Sequence, residues 1–352
     1  MAKKSLSKNN FYKFKKILVA GGSGMIGIEL VKRLLDAGAE VGVVSLDSKK
    51  KVEKVLGKKV KFTRADLTSL RNCLKATAGC DFVFNLIGIK GSVGIGEKKV
   101  ASYFVPMLRY QTNLMDAAFK NKVKRFLFVS SICAYPQSNI AKEEDTVWNG
   151  MPRQNDRIPG IAKRVGELQG EAYLKEYGWD AVRVVRPANV YGPFDDFNPA
   201  TAQVIPALIA RVVGGENPLK VWGDGSARRD FIYVEDVADG ILTAIEKAPA
   251  CFAVNLGSGK AVSIKEIVKV IVNNASKKPK IEWDSSKPAG DPMRLLSTKR
   301  AKKYLRFKPK YTLEAGIKKT MDWYKEYYKL SSLRSRNFSK LSSLRSRNFS
   351  KL

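Results

Sequence analysis

Histidine is absent from all 352 residues of the chain. Because imidazole is the side chain that most readily exchanges protons near pH 7, any acid–base chemistry has to use Tyr, Cys, Lys, Asp or Glu. Cysteine is scarce, and the four that occur include no C-x-x-C pair: Cys73, Cys80, Cys133 and Cys251. We therefore expect no metal site and no disulfide framework, and a reducing cytoplasm is the default location.

Long apolar runs are missing as well, since no stretch approaches the ~20 residues that a membrane-spanning helix requires. Residues 1–15 are rich in lysine but contain no apolar segment of the kind that secretory signals carry. We predict that they form a basic, flexible arm, and we expect no membrane partner.

Acidic residues are outnumbered, because 33 Asp and Glu stand against 64 Lys and Arg, for a net charge of +31. One interpretation is nucleic-acid binding through counterion release. The other is a set of solvated basic faces with a preference for anionic small molecules such as nucleotide sugars. The lysines are scattered without interleaved aromatic residues, as at Lys49–Lys51 and Lys277–Lys280, which favours the second interpretation over nucleic acid.

What the sequence does contain is an apolar run, Ile17–Ala20, that breaks into glycines spaced G-x-x-G-x-x-G and continues into an amphipathic segment over 28–37. This pattern predicts a buried strand, a tight turn and a helix in direct succession. Backbone N–H groups at such a helix start can approach a pyrophosphate closely because no Cβ stands in the way. We therefore predict a dinucleotide-binding loop formed by Gly21, Gly24, Met25, Ile26 and Gly27.

Apolar strand patterns alternate with helical ones from residue 16 to about 187, which predicts an α/β fold with a Rossmann-type doubly wound parallel sheet. After Pro187 the elements become short, and a long polar loop is predicted over 190–199. The predicted organisation is an NAD(P)-binding domain over 16–187 with returning segments from 188–260. A smaller C-terminal substrate-binding lobe lies mainly over 188–330, and a tail follows over 331–352.

The tail repeats itself, because the eleven residues Ser331–Leu341 recur verbatim as Ser342–Leu352. Two such short units cannot bury the core of a repeat fold, so we predict a disordered basic extension. The final tripeptide, Ser350-Lys351-Leu352, matches a peroxisomal address that has meaning only in a eukaryote.

Two regions beyond the glycine loop bear on which dinucleotide binds. Ser45 follows the second predicted strand, where such sites often carry an acid for the adenosine ribose, and Asp47 and Lys49–Lys51 come soon after. Ser45 with lysines suits a 2′-phosphate and Asp47 suits NAD, so the sequence leaves NAD and NADP open. Asp66 with Leu67, after the third strand, is predicted either to contact the adenine amino group or to cap the next helix.

Several motifs accompany the loop: Ser130-Ser131-x-x-x-Tyr135-Pro136, Lys163, Arg186-Pro187-x-Asn189-x-Tyr191-Gly192-Pro193, Trp222-Gly223-Asp224-Gly225 and Arg229-Asp230-Phe231. From about residue 16 to 328 the chain resembles the extended short-chain dehydrogenase/reductases, the NAD(P)-dependent epimerases and dehydratases of nucleotide sugars. Within that family it is most similar to the GDP-L-fucose synthases, on the stretches Ser130–Pro136, Tyr191–Pro199, Val204–Leu208 and Arg294–Leu296.

The resemblance implies an enzyme in which a Tyr and a Lys, four residues apart, lie beside the nicotinamide while a Ser orients the sugar oxygen. Ser131 and Lys163 match the Ser and Lys positions, and Cys133 matches a cysteine that helps to epimerise the keto sugar. The tyrosine position holds Pro159, and the position of a second epimerising residue, a histidine, holds Gln203. On the substrate side the resemblance points to Asn189, Val204, Trp222, Arg229 and Arg294.

Pro159 leaves three hypotheses open, because the loss of a positioned acid typically costs ~10²–10⁴ in rate. In the first, Tyr135, Cys133 or a lysine-activated water carries the proton in an active epimerase, dehydratase or reductase of a GDP- or UDP-sugar. In the second, the protein binds cofactor and nucleotide sugar without turnover. In the third, the reaction needs hydride transfer alone. The helices predicted over Val100–Asn121 and Ala162–Tyr177 resemble the pair that builds the dimer interface of this family, so we expect a homodimer.

Overall fold

Thirteen strands and ten helices build the described part of the computed structural model, which comprises residues 10–88, 100–198, 201–287 and 291–327. Residues 1–9 of the predicted arm and the whole duplicated tail lie outside the described residues. The prediction of a flexible arm is wrong for residues 10–15, because Tyr12 is 1% exposed and packs in the central core. The strands are β1 Lys16–Ala20, β2 Glu40–Ser45, β3 Lys61–Arg64, β4 Phe82–Asn85, β5 Arg125–Val129, β6 Val182–Pro187, β7 Asn189–Tyr191, β8 Leu219–Trp222, β9 Arg228–Tyr233, β10 Ala253–Leu256, β11 Ala261–Ser263, β12 Ile281–Asp284 and β13 Met293–Arg294.

Seven of these strands form one parallel sheet in the order β10-β6-β5-β4-β1-β2-β3. Strands such as β4 and β6 are buried along their whole length, as expected when helices cover both faces of a parallel sheet. The order reverses between β1 and β4, and in open α/β sheets ligands bind at the carboxyl edge beside this point. The prediction of a Rossmann-type doubly wound sheet is confirmed.

The helices are α1 Met25–Asp36, α2 Lys49–Leu56, α3 Leu70–Thr77, α4 Val100–Lys120, α5 Arg157–Tyr177, α6 Val204–Val213, α7 Val234–Lys247, α8 Ile264–Asn273, α9 Lys299–Leu305 and α10 over 313–327. Apolar side chains of α1 and α7 pack on one face of the central sheet, and those of α4 and α5 pack on the other. Within the described ranges, no helix has both the length and the apolarity that crossing a bilayer requires.

Strands β7, β9, β11 and β13 form a second, four-stranded sheet, and β8 pairs with β12. Buried apolar side chains of β7, β8 and β9 form one cluster with those of α6, α8 and α10, and side chains of β11 and β12 pack against it. Met25, at the start of α1, belongs to the same cluster. The helix that follows the glycine loop therefore contacts these C-terminal elements directly.

The boundaries differ from the predicted ones at several points. Helix α5 begins at Arg157, five residues before the predicted start. The prediction placed the start too late because the first turn carries Pro159 and Gly160 rather than an apolar repeat. The polar loop predicted from residue 190 begins with β7, which pairs with β9 through Asn189–Tyr191. The lysine run Lys49–Lys51 opens α2, whose N-cap Ser48 accepts a hydrogen bond from the amide of Lys51.

Candidate functional site

The glycine loop joins β1 to α1 at the carboxyl edge of the central sheet. Gly21 has a φ of 79°, a conformation that favours glycine. A Cβ at Gly27 would lie 2.5 Å from the carbonyl oxygen of Gly21 and 2.6 Å from the Cα of Gly22, so only glycine allows the helix to start this close to the turn. Gly24 is the N-cap of α1, and no side chain caps the helix start.

This geometry fits the pyrophosphate of a dinucleotide. The first amides of α1, from Met25 onward, meet no competing side-chain acceptor at the N-cap and lie at the positive end of the helix dipole. Met25 is buried, while Ile26 is partly buried and packs against both the core and the C-terminal cluster. The apolar packing of Met25 and Ile26 therefore holds the backbone of the loop in place.

A small polar cluster lies at the end of β2. The hydroxyl of Ser23 donates to the Asp47 carboxylate at 2.7 Å and lies 3.0 Å from the hydroxyl of Ser45. Lys51 donates to the other oxygen of Asp47, also at 2.7 Å. Burial raises the pKa of Asp47, but the hydrogen bonds from Lys51 and Ser23 outweigh it and hold the pKa below its usual value. Ser45 and Asp47 thus lie together, with a negative charge that one lysine balances.

Asp66 lies in the turn before α3. Its carboxylate is exposed, and one oxygen accepts a hydrogen bond from the amide of Thr68 at 2.9 Å. Leu67 is buried, and its carbonyl accepts from the thiol of Cys73. The predicted capping role is wrong, because the N-cap of α3 is Ser69 and the carboxylate of Asp66 instead holds the turn before it. The carboxylate also faces solvent, which leaves it accessible for the predicted contact with the adenine amino group.

Ser131, Cys133 and Lys163 meet at the carboxyl end of β5. Ser131 directly precedes the short 3-10 turn Ile132–Ala134, and its hydroxyl accepts from the amide of Cys133 at 3.1 Å. The ammonium of Lys163, on α5, donates to the carbonyl of Val129 at 2.8 Å. Burial lowers the pKa of Lys163 to about 8, against the opposing effects of Glu167 and Cys133. The lysine can therefore change its charge near neutral pH.

Arg294 joins this group from β13. Its guanidinium donates to the sulfur of Cys133 at 3.8 Å and forms an ion pair with Asp156 at 2.9 Å. Burial and the charge of Asp156 raise the pKa of the Cys133 thiol, and Arg294 offsets this only in part, so the pKa stays above its ordinary value. The thiol is therefore protonated at neutral pH in the same site as Ser131 and Lys163.

Arg294 belongs to a wider cation cluster, which we define as Lys142, Arg153, Arg229 and Arg294. Arg153 forms ion pairs with Asp156 at 3.3 Å and with Asp291, while Arg229 donates to the carbonyl of Asp291 at 2.6 Å. Burial and, next in size, the charge of Arg294 lower the pKa of Arg229 to about 10 and that of Lys142 to about 8. These four cations face two carboxylates, those of Asp156 and Asp291. The resulting excess of positive charge suits the cluster to binding an anion.

The other predicted substrate residues lie within the C-terminal elements. Asn189 donates to the carbonyl of Asp230 at 2.7 Å and so helps to hold β7 against β9. Val204 is the first residue of α6, and Gln203 is its exposed N-cap without a side-chain cap bond. Trp222, at the end of β8, is 67% exposed. Among the described residues, no hydrogen bond or ion pair links Asn189, Val204 or Trp222 to Cys133.

Tyr135 is the one proposed proton carrier whose position conflicts with that role. The side chain is 1% exposed, its hydroxyl donates to Asn255 at 2.7 Å, and it accepts from Arg186 at 2.9 Å. Arg186 in turn pairs with Glu167. Burial raises the pKa of Tyr135 to about 12. The phenol is therefore part of a buried network and is removed from substrate.

Pro159 occupies the first turn of α5, where a missing amide proton costs no helical hydrogen bond. The neighbouring Gly160 lies against the Cys133 turn, since a Cβ there would be 2.3 Å from the carbonyl oxygen of Cys133. The start of α5 is therefore in direct contact with the site. Sequence reasoning missed Lys142, Arg153, Asp156 and Asp291, which lie outside the strands and helices that periodicity reveals.

Comparison with known proteins places this site in a family. The sequence profile of the NAD dependent epimerase/dehydratase family matches residues 17–257. GDP-L-fucose synthase 1 of Arabidopsis thaliana is 31% identical over 314 residues, which cover 88% of this chain and 93% of that protein.

Solved structures agree in fold over nearly the whole length. UDP-glucose 4-epimerase of Thermotoga maritima, solved with UDP-glucose, has a TM-score of 0.76 at 27% identity and covers 89% of this chain and 99% of its own. MoeE5, solved with UDP-glucuronic acid and NAD, has a TM-score of 0.74 at 25% identity, with coverages of 89% and 99%. The cofactor of this chain is accordingly NAD or NADP. The glycine cradle, the sheet order and the profile match together show that the chain belongs to the NAD-dependent epimerase/dehydratase family.

Proposed function

We propose that this protein is an enzyme that transfers a hydride between NAD(P) and a GDP- or UDP-linked sugar, in the manner of the GDP-L-fucose synthases. One observation carries the proposal: Ser131, Cys133 and Lys163 converge at the carboxyl end of β5, on the sheet edge that also carries the glycine loop. The nicotinamide supplies or accepts the hydride, and the chain's own residues bind the sugar and move the protons.

Each of the three residues has donors or acceptors left for this chemistry. A lysine ammonium has three N–H donors, and Lys163 uses one of them on Val129, so the others can reach a ribose or a proton-carrying hydroxyl. The hydroxyl of Ser131 accepts from the backbone, so its own proton can be donated to the sugar oxygen. Cys133 can take or return a proton beside a carbonyl when Arg294 stabilises its thiolate.

The cation cluster supplies the recognition of a nucleoside diphosphate. Lys142, Arg153, Arg229 and Arg294 come together although the first two precede α5 and the last two lie on β9 and β13. Guanidinium groups bind phosphate oxygens in pairs, and an anion among crowded cations relieves their mutual repulsion. Asn189, Val204 and Trp222 would contact the nucleotide or sugar farther from the reacting atoms.

Gln203 limits the chemistry that we propose. Inverting a carbon beside a carbonyl needs one group to remove a proton on one face and another to return it on the opposite face. Cys133 can fill one of these roles, whereas an amide such as Gln203 exchanges no proton near pH 7. Redox chemistry at the sugar carbonyl is therefore the step that this site supports best.

A second function is supported by the same departures, namely binding of cofactor and nucleotide sugar without turnover. Pro159 and Gln203 replace two groups that would otherwise exchange protons.

We also propose that the protein forms a homodimer through α4 and α5, because apolar side chains on that pair are solvent-exposed, including Val105 at 40% and Leu168 at 47%.

Calorimetric titration of NAD and NADP, each with and without GDP- and UDP-sugars, fixes the cofactor and the nucleotide together. Turnover of GDP- and UDP-linked 4-keto sugars with reduced cofactor is then followed at 340 nm. We expect both binding and turnover, and the turnover should disappear in Lys163→Ala. Binding without turnover would establish the second function, and no binding of any nucleotide sugar would overturn both.

A further inference from the structure

We propose that Tyr103, on helix α4, is a catalytic residue that provides the phenolic proton donor absent from position 159 of α5. The inference rests on the proposed function and deepens it, because it names the group that protonates the sugar carbonyl oxygen. Three features of the described structure carry it: the alignment of α4 with α5, the shared neighbour Cys133, and the chemistry of Lys163.

Helices α4 and α5 run in the same direction, and their contacts set the level of Tyr103. Gln169 donates to the carbonyl of Thr112 and Tyr173 donates to Asp116, and both pairs are 57 residues apart in sequence. Carried back nine residues along both helices, past Pro106 in α4, this spacing places Tyr103 near the level of Gly160, the residue after Pro159. Gln111 contacts the carbonyl of Ala162 with a spacing of 51, which places Tyr103 level with residue 154. Both alignments bring Tyr103 beside the beginning of α5.

The beginning of α5 is the part of that helix that touches the Cys133 turn, through Gly160. The negative charge that Cys133 carries as a thiolate raises the pKa of the Tyr103 phenol and that of the Lys163 ammonium. Tyr103 and Lys163 are therefore both neighbours of one thiol, although they come from different helices. Tyr103 is partly buried and packs on the apolar cluster beneath α4, which limits its motion.

The protonation states suit a donor with a cationic helper. Burial, and to a lesser extent Cys133, raises the pKa of Tyr103, so its phenol is protonated at neutral pH. Lys163 has a pKa of about 8 and is mostly charged at the same pH. A charged ammonium near a phenol stabilises the phenolate that forms when the proton leaves.

The proposed step balances without a further reactant. When a hydride reaches the carbonyl carbon of the keto sugar, the C=O π electrons move to the oxygen, and that oxygen takes the proton of the Tyr103 O–H. The phenolate then takes a proton from Lys163, which recovers one from water. In the oxidative direction each transfer is reversed.

The first test compares Tyr103→Phe with Tyr110→Phe, which removes a hydroxyl from the same helix two turns away. We expect Tyr103→Phe to lower kcat by ~10²–10⁴, the usual contribution of a positioned acid, with little change in the dissociation constants of cofactor and nucleotide sugar. Tyr110→Phe should leave kcat unchanged. In the double variant Tyr103→Phe with Pro159→Tyr, we expect part of the lost rate to return. A kcat of Tyr103→Phe within threefold of the wild type overturns the proposal.

The second test needs no turnover. The difference in phenolate absorbance at alkaline pH between the wild type and Tyr103→Phe reports the titration of Tyr103. Cys133→Ser should shift this titration to lower pH, because a neighbouring thiolate raises the pKa of the phenol, whereas Cys80→Ser should not shift it. An unshifted titration in Cys133→Ser overturns the placement of Tyr103. Absence of wild-type turnover instead overturns the proposed function, and the donor role with it.

Discussion

The glycine loop and the beginning of α5 lie on the same sheet edge, yet they constrain their sequences in different ways. In the loop, a Cβ at Gly27 would collide with the backbone of Gly21 and Gly22, so the residue type follows from packing alone. At position 159 the chain requires only a residue that fits the first turn of a helix, and proline does. The cofactor loop thus depends on backbone geometry at fixed positions, whereas proton transfer requires a hydroxyl group that can come from any neighbouring element.

Substitution of Lys163 tests this comparison with the largest effect that we expect. We expect Lys163→Ala to lower kcat by ~10²–10⁴, since it removes the charge that any hydroxyl donor in this site would use. The matched control is Lys175→Ala, an exposed lysine near the end of the same helix, which should leave kcat unchanged. Equal rates for the two variants would show that proton transfer does not pass through α5 at all.

The pH dependence of the same residue gives a signed expectation. Lys163 is charged below its pKa of about 8 and neutral above it, so kcat should fall as the pH rises through about 8. Lys163→Arg keeps the charge to a much higher pH, and the alkaline fall should move upward in that variant even where its kcat is reduced. Rate measurements from pH 6 to 10 check this, and an alkaline limb that stays in place would assign the titration to another group.

The glycine loop is expected to respond through binding rather than rate. Gly27→Ala should weaken cofactor binding by about 10- to 100-fold, because overpacking of this kind costs ~1–3 kcal/mol. The control Gly42→Ala adds a methyl group in β2, where the nearest atoms lie 3.8 Å from the new Cβ, so its affinity should match the wild type. Calorimetry with NAD and NADP measures the affinities of both variants. A normal affinity for Gly27→Ala would show that the loop accommodates a Cβ at position 27, against the expectation from its geometry.

The same comparison explains how much of the molecule was predictable. The seven central strands and the glycine loop follow from apolar runs and glycine spacing, which are local signals. The cation cluster does not, because Lys142 and Arg153 are separated in sequence from Arg229 and Arg294 and meet only when β13 pairs beside β9. Tyr103 illustrates the same limit, since in sequence it is simply an aromatic residue of an amphipathic helix. The role that we propose for it depends on the alignment of α4 with α5, which no local pattern reveals.

The smallest effect that we expect concerns the choice of dinucleotide. Asp47 is a carboxylate held by Ser23 and Lys51 beside Ser45, where an adenosine 2′-substituent would lie. Asp47→Asn removes a negative charge while keeping the shape, so the affinity for NADP relative to NAD should rise by about tenfold, equivalent to ~1.4 kcal/mol of reduced repulsion. Glu53→Gln removes the same charge from α2, where Glu53 pairs with Lys49 at 3.8 Å, and serves as the control. An unchanged ratio in Asp47→Asn would place the 2′-substituent away from the β2 end, although the glycine loop would still hold the pyrophosphate.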